Sequence, residues 1–162
     1  MNTTHTSGTL LRVGVTAEVG AAAPDVYRMI ADYHDGHTRI IPPRYFRNLQ
    51  VEQGGYGDGT VIRYDVLAFG TIYHARARVT EPEPGRVLVE TDLEKGAVTS
   101  FIVEPLGGSR SRVTITTSLS TRAGILGRIE RAVMRSFLNR VYVAELAQLD
   151  AQMTAAASKN AA

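Results

Sequence analysis

The chain has 162 residues, enough for one domain with a sizeable core. Hydrophobic residues make up 44% and charged residues 21%, both ordinary for a globular protein, and a net charge of +2 is too small to point to nucleic acid. There is no cysteine, which excludes a disulfide framework, a thiolate nucleophile and a cysteine-ligated metal.

The first residues, MNTTHTSGTL, carry neither a basic start nor an apolar run. No stretch approaches the roughly 18 apolar residues of a membrane span. The expectation is a soluble, cytoplasmic protein with no stable membrane insertion. Residues 1–9 read as a disordered arm, 10–155 as a single domain and 156–162 as a disordered tail.

In LLRVGVTAEV, Leu11, Val13, Val15, Ala17 and Val19 share one face and Arg12, Thr16 and Glu18 the other, the pattern of a half-buried strand. APDVYRMIADY follows, with Pro24 at a helix start and Val26 and Ile30 four apart. HDGHTRIIPP holds another helical turn or two before Pro42 and Pro43 stop it. Six strand-like runs come next, at about 45–53, 60–68, 71–81, 86–93, 97–105 and 111–120. The gaps between them are too short for crossover helices, so neighbours pair antiparallel. From about Ala123 to Met153, Leu126, Ile129, Val133, Phe137, Val141, Ala144 and Leu149 recur at three- to five-residue steps, which predicts one apolar stripe on a long helix.

The segment EQGGYGDGTVIRY packs Gly54, Gly55, Gly57 and Gly59 together. A phosphate-binding loop needs a helix directly after it, to supply aligned N–H groups. TVIRYDVLA instead alternates with a period of two, and the spacing fits neither common phosphate motif. The glycines are read as supplying positive φ angles for a turn.

Four stretches together carry a family resemblance: VTAEVGAAAPDVYRMIADY (15–33), PP (42–43), VEQGGYGDGTVIR (51–63) and VEPLGGSRSRVT (103–114). They resemble the SRPBCC superfamily, the START-like and polyketide-cyclase-like helix-grip proteins, over about residues 10–155. The resemblance implies an α+β helix-grip fold. A seven-stranded antiparallel sheet would curve around the long C-terminal helix, with two short helices between the first and second strands. It also implies a cavity between helix and sheet for a hydrophobic or amphipathic ligand. Known relatives include lipid carriers and polyketide aromatase/cyclases, and fold alone does not choose among them.

The alternation proposes which residues face that cavity. A two-residue turn at Phe69–Gly70 pairs Tyr64 with Ala75 and Val66 with Tyr73, putting Ile62, Tyr64, Val66 and Ala68 on one face with Tyr73, Ala75, Ala77 and Val79. Ala75 and Ala77 are small for core positions and leave room opposite the helix, filled either by a large helix residue or by a ligand. On the next run Val87, Val89, Thr91 and Leu93 form the apolar set, and on the last Val113, Ile115, Thr117 and Leu119. The run at 97–105 is open: Ala97, Thr99, Phe101 and Val103 compete with Val98, Ser100 and Ile102. The predicted cavity residues are therefore Tyr64, Val66, Tyr73, Ala75, Ala77, Thr91, Phe101, Thr117, Val133, Phe137 and Val141, with Tyr33, His34 and Phe69 at the rim.

Asp65, His74 and Arg76 fall together on the opposite face of the same hairpin. An Asp–His pair beside an arginine suits a general base with enolate stabilisation, but the face is assigned to solvent, where the three read as a charged outer surface. His34 and His37 stand beside Asp32 and Asp35, yet Gly36 interrupts the turn, so a polar loop at the cavity rim is preferred to a metal site. Arg128, Arg131 and Arg135 are read as a solvated stripe, although the same spacing suits anionic lipid or nucleic acid. No cofactor, metal or nucleic-acid partner is expected. The leading reading is binding or transport of a hydrophobic small molecule, such as a lipid, quinone or polyketide. The alternatives are a polyketide aromatase/cyclase or dehydratase in the same cavity and, more weakly, a protein-interaction groove.

Overall fold

The computed structural model describes residues 8–160. In chain order these form β1 (Thr9–Val19), α1 (Ala23–Ala31), α2 (Gly36–Ile40), β2 (Phe46–Gln53), β3 (Val61–Ala68), β4 (Thr71–Glu83), β5 (Val87–Asp92), β6 (Val98–Pro105), β7 (Ser111–Thr121) and α3 (Gly124–Asn160). α3 runs to Asn160, so residues 156–160 continue the helix and are not a separate tail. At the other end the proposed arm gives way to β1 at Thr9, and its first seven residues lie outside the described part.

All seven strands form one antiparallel sheet in the order β1-β7-β6-β5-β4-β3-β2. β2 to β7 run as a meander, and β1 closes against β7. The chain between β1 and β2 must therefore cross the whole width of the sheet, and α1 and α2 make that crossing. Register shifts interrupt the β2–β3 and β4–β5 ladders. Such bulges add an unpaired residue to one strand, bending it and increasing its twist, and so help the sheet curl. At the first of them Asn48 takes a φ of 54°, a conformation asparagine tolerates better than most residues.

α3 lies in the curl, packed on β1, β7 and α2. Its buried side chains are Val141, Tyr142, Glu145, Leu146, Leu149 and Met153. The predicted stripe divides here. Leu126, Ile129 and Val133 are exposed, because the first turns of α3 project past the region where the sheet meets the helix. With the helix set over β1 and β7, the concave face of β3 to β6 is left without close cover.

The glycine-rich loop fastens this arrangement. Its N–H groups are already committed to the protein. Gly57 N donates to the Ala31 carbonyl at 3.0 Å, Gly59 N to the Val79 carbonyl at 3.1 Å, Gly55 N to Thr60 Oγ1 at 3.0 Å and Asp58 N to Glu81 Oε2 at 2.8 Å. β3 follows directly. The loop thus ties the end of α1 to β3 and β4, and its donors point to protein acceptors instead of an anion. Gly57 has a φ of 57°, and a Cβ there would lie 2.3 Å from Glu81 Oε2. Gly57→Val is expected to cost about 2 kcal/mol or more through left-handed strain and displacement of Glu81. For a domain of this size that is a fall of roughly 5 °C in melting temperature, checked by thermal denaturation. An unchanged melt would show that the clamp is dispensable.

Candidate functional site

The uncovered part of the concave face is a cavity of about 320 Å³ between the sheet and α3. Apolar walls come from Ile62, Val66 and Ala75 of β3 and β4, Phe101 of β6, and Phe137 and Val141 of α3. Within this lining stand several polar groups: His37, Tyr64, Glu90, Asp92, Thr99, Thr117, Tyr142 and Glu145, with Lys95 near the mouth.

The strand register explains how carboxylates reach the inside. Ala77 and Val79 are buried on β4, and their β5 partners are Asp92 and Glu90. β5 therefore turns Leu88, Glu90 and Asp92 inward and Val87, Val89 and Thr91 outward, the reverse of the predicted set. Thr91 accordingly does not line the cavity. Across the next ladder Leu88 pairs with Phe101 and Glu90 with Thr99, which turns Thr99, Phe101 and Val103 inward and resolves the open strand.

Glu90 is held by Tyr33, and the His37 ring lies beside it. Tyr33 Oη donates to Glu90 Oε1 at 2.5 Å, and His37 Nε2 lies 3.6 Å from the same oxygen. The His37 ring stacks on Tyr33, with centroids 4.4 Å apart, and meets the edge of Phe101. His37 Nδ1 sits 2.8 Å from the Ile30 carbonyl, which can only accept, so Nδ1 carries a proton and Nε2 is the nitrogen that faces Glu90. Burial, with the adjacent Glu90 charge, drives the Tyr33 hydroxyl well above the usual phenol range.

Glu145 sits on the α3 side of the cavity, 3% exposed. Burial drives its carboxyl well above the usual range, and the charge of Glu90 adds to the rise. Among the described residues no hydrogen bond from another group offsets this. Glu145 is therefore a carboxyl whose protonated form burial favours, facing the cavity beside an acid that the protein holds in place. Beside it, Tyr142 Oη hydrogen-bonds Thr117 Oγ1, which in turn bonds Thr99 Oγ1 at 2.6 Å. Burial also raises the Tyr64 and Tyr142 phenols, so both are neutral hydroxyls.

Of the predicted cavity residues, Tyr64, Val66, Tyr73, Ala75, Phe101, Thr117, Phe137 and Val141 line the space. Ala77 is buried in the core beside it, and Val133 faces outward with 46% of its surface exposed. Of the rim residues, Phe69 is at the mouth. Tyr33 is instead fully inside, where it holds Glu90, and His34 is exposed against Gly55, away from the opening. Asp65, His74 and Arg76 lie on the outer face. Asp65 bonds His74 and Asn48, Arg76 pairs with Glu52, and the His74 side chain is 84% exposed, so no pocket encloses them. Glu90 and Glu145 were missed, and His37, read as part of a polar loop at the rim, is instead buried in the cavity wall. An inward Glu contradicts the rule that alternation follows hydrophobicity, and only the β4–β5 register reveals it.

A curved antiparallel sheet gripping one long helix around a mostly apolar cavity defines the helix-grip class of small-molecule-binding folds. The sequence profile of the family described as polyketide cyclase / dehydrase and lipid transport matches residues 11–154, and the chain belongs to that family. Among solved structures, the KanY protein is 22% identical with a TM-score of 0.78, the match covering 90% of this chain and 99% of KanY. The Streptomyces aromatase/cyclase Zhui is 21% identical with a TM-score of 0.73, covering 90% and 94%. A START superfamily protein from Mycobacterium smegmatis is 16% identical with a TM-score of 0.69, covering 89% and 97%. These likenesses concern the fold. Among curated proteins, none matches the chain in sequence.

The Glu145 carboxyl makes stability depend on pH with a defined sign. Its folded-state pKa is raised, so the native state keeps a proton that the unfolded chain releases above the ordinary glutamate pKa of about 4.3. Stability from this site is therefore lost as pH rises from that value. Glu145→Gln, which cannot ionise, should melt like the wild type near pH 4 and several degrees higher at pH 8. Parallel melts at the two pH values check this. An equal difference at both, or a less stable variant at pH 8, contradicts the raised carboxyl.

Proposed function

We propose that the protein binds an amphipathic, polyketide-like small molecule between the sheet and α3, and that its buried carboxyls transfer protons on that molecule, closing and dehydrating a ring. The observation that carries this reading is Glu145, a buried carboxyl that faces an apolar cavity and has no hydrogen-bond partner among the described residues. Keeping it there costs stability, and a cavity that only carried hydrocarbon would gain nothing from it. Membership of a family described by cyclase, dehydrase and lipid-transport activities agrees with the reading.

The groups suit an aldol closure followed by loss of water. Glu90, fixed by Tyr33, takes the proton from a carbon flanked by two carbonyls. The resulting enolate carbon attacks a third carbonyl further along the molecule, and Glu145 gives its proton to the new alkoxide. In the second stage the Glu145 carboxylate removes the remaining proton from the nucleophilic carbon. The protonated Glu90 then passes its proton to the leaving hydroxyl, which departs as water. Both acids return to their starting state. Neutral Tyr64 and Tyr142 are placed to donate to carbonyls along the chain.

The aldol of benzaldehyde and acetone tests the chemistry: from the resting state Glu90 takes its α-proton, Glu145 protonates the departing hydroxyl, and a proton returns from Glu90 to Glu145 through solvent, the dehydration to benzylideneacetone being followed by absorbance. The wild type should accelerate the loss of water, and Glu145→Gln should slow it on the order of a hundredfold. The variant should still bind the neutral dye Nile red with little change. Dye binding without acceleration by the wild type would leave the second reading, a carrier, which the apolar walls favour. Ala75→Phe examines the cavity itself. The new ring extends into open space, so the fold should persist and Nile red affinity should fall about tenfold, or roughly 1.4 kcal/mol. Had the site been packed, the same change would cost roughly 1–3 kcal/mol of stability. A large fall in melting temperature together with no dye binding by the wild type would dispose of the cavity.

A further inference from the structure

The cavity mouth adjoins a second feature that the proposed chemistry does not use. Ile125, Ile129, Val133 and Phe137 follow one another at intervals of four along α3, so they form a continuous ridge on one helix face. Leu126 adjoins it. The first three and Leu126 are between 46% and 77% exposed. The ridge ends at Phe137, whose ring lies 5.2 Å from that of Phe69 at the tip of the β3–β4 hairpin. Phe69 is itself 56% exposed and has a φ of 53°. A two-residue turn with both central φ angles positive normally takes Asn, Asp or Gly at that position. Here a large aromatic ring occupies it and is held out to water beside the cavity.

The charge around the ridge has one sign. Between residues 122 and 140 the chain carries Arg122, Arg128, Arg131, Arg135 and Arg140 against Glu130 alone, more positive charge than the net +2 of the whole protein. Arg122 lies 3.9 Å from Glu130, and Arg131 is tied to Thr121 and the Arg122 carbonyl. Arg128, Arg135 and Arg140 have no acidic partner among the described residues. An apolar ridge flanked by free arginines is the pattern of a helix that lies in the headgroup region of an anionic bilayer. Among the described residues no helix is long and apolar enough to cross a membrane, so this contact would be peripheral.

We propose that the first half of α3, together with Phe69, docks the protein on an anionic lipid surface with the cavity mouth turned toward it. A poorly soluble ligand could then pass between bilayer and cavity without crossing water. The docking stands whether the cavity performs chemistry or only carries its ligand.

Co-sedimentation with vesicles of phosphatidylcholine alone, and of phosphatidylcholine mixed equally with phosphatidylglycerol, tests it. The wild type should bind the mixed vesicles on the order of tenfold more tightly, and added salt should weaken that binding. Ile125→Ser with Ile129→Ser, and separately Arg128→Glu with Arg135→Glu, should each lower the binding on the order of tenfold. All four side chains are exposed, so the melting temperature should not move. The proposal is overturned if the wild type ignores the mixed vesicles at low salt, if it binds both compositions equally, or if neither pair of changes matters. It is overturned as well if the wild type is a dimer that the isoleucine pair dissolves and lipid does not bind, which would make the ridge a contact between two copies.

Discussion

Everything distinctive in this protein follows from placing carboxyl groups in an apolar gap. A charge moved from water into such a space must be neutralised or partnered. The two acids meet this constraint differently. Glu90 is partnered, by the Tyr33 hydroxyl and beside the His37 ring. Among the described residues Glu145 has no such partner, and burial holds its carboxyl well above the usual range. The proximity of Glu90 reinforces that division, because two adjacent carboxylates resist both being ionised. The two carboxyls are thereby given different environments, an arrangement that suits a cavity proposed both to remove and to deliver a proton.

The fold is arranged to keep that pair in place. The connection between β1 and β2 has to cross the sheet, and its path carries Tyr33 and His37 over the inner face above Glu90. His37 is fixed by the Ile30 carbonyl, and Tyr33 N donates to the Gly55 carbonyl at 2.9 Å. The glycine loop therefore does more than turn the chain. By binding the end of α1 it sets the height at which Tyr33 and His37 enter the interior. Left-handed backbone at this loop is what lets the two segments approach so closely.

The elements themselves could be read from the sequence because each agreed with its neighbours. Alternation in LLRVGVTAEV, Pro24 at a helix start and the double proline at 42–43 all point to the same order of structure that the fold displays. The pairing of Tyr64 with Ala75 followed from one turn at Phe69–Gly70. The site was harder to see, because it departs from the same rules. On β5 the sequence VLVETD offers valines to one face and a leucine with two acids to the other, and hydrophobicity alone selects the wrong face. Only the neighbouring ladder decides it, since buried Val79 and Ala77 carry Glu90 and Asp92 inward with them. Local rules are expected to fail where function is placed.

The same reasoning explains the misread helix. α3 carries two apolar sets, not one. Met134, Leu138, Val141, Leu149 and Met153 turn toward the protein, with Tyr142 and Glu145 among them, while Ile125, Ile129 and Val133 turn away. Read as a single sequence of three- to five-residue steps, the two merge into one stripe, because Phe137 stands where they meet. That residue contacts Tyr45 and Phe69 on the sheet side and continues the outer ridge on the other. A helix that only gripped the sheet would have no reason to keep large aliphatic side chains in water over its first three turns. Burying the inner set is sufficient for folding, so the outer set must be accounted for by something other than the core. The arginines beside it and the cavity mouth at its end limit what that can be.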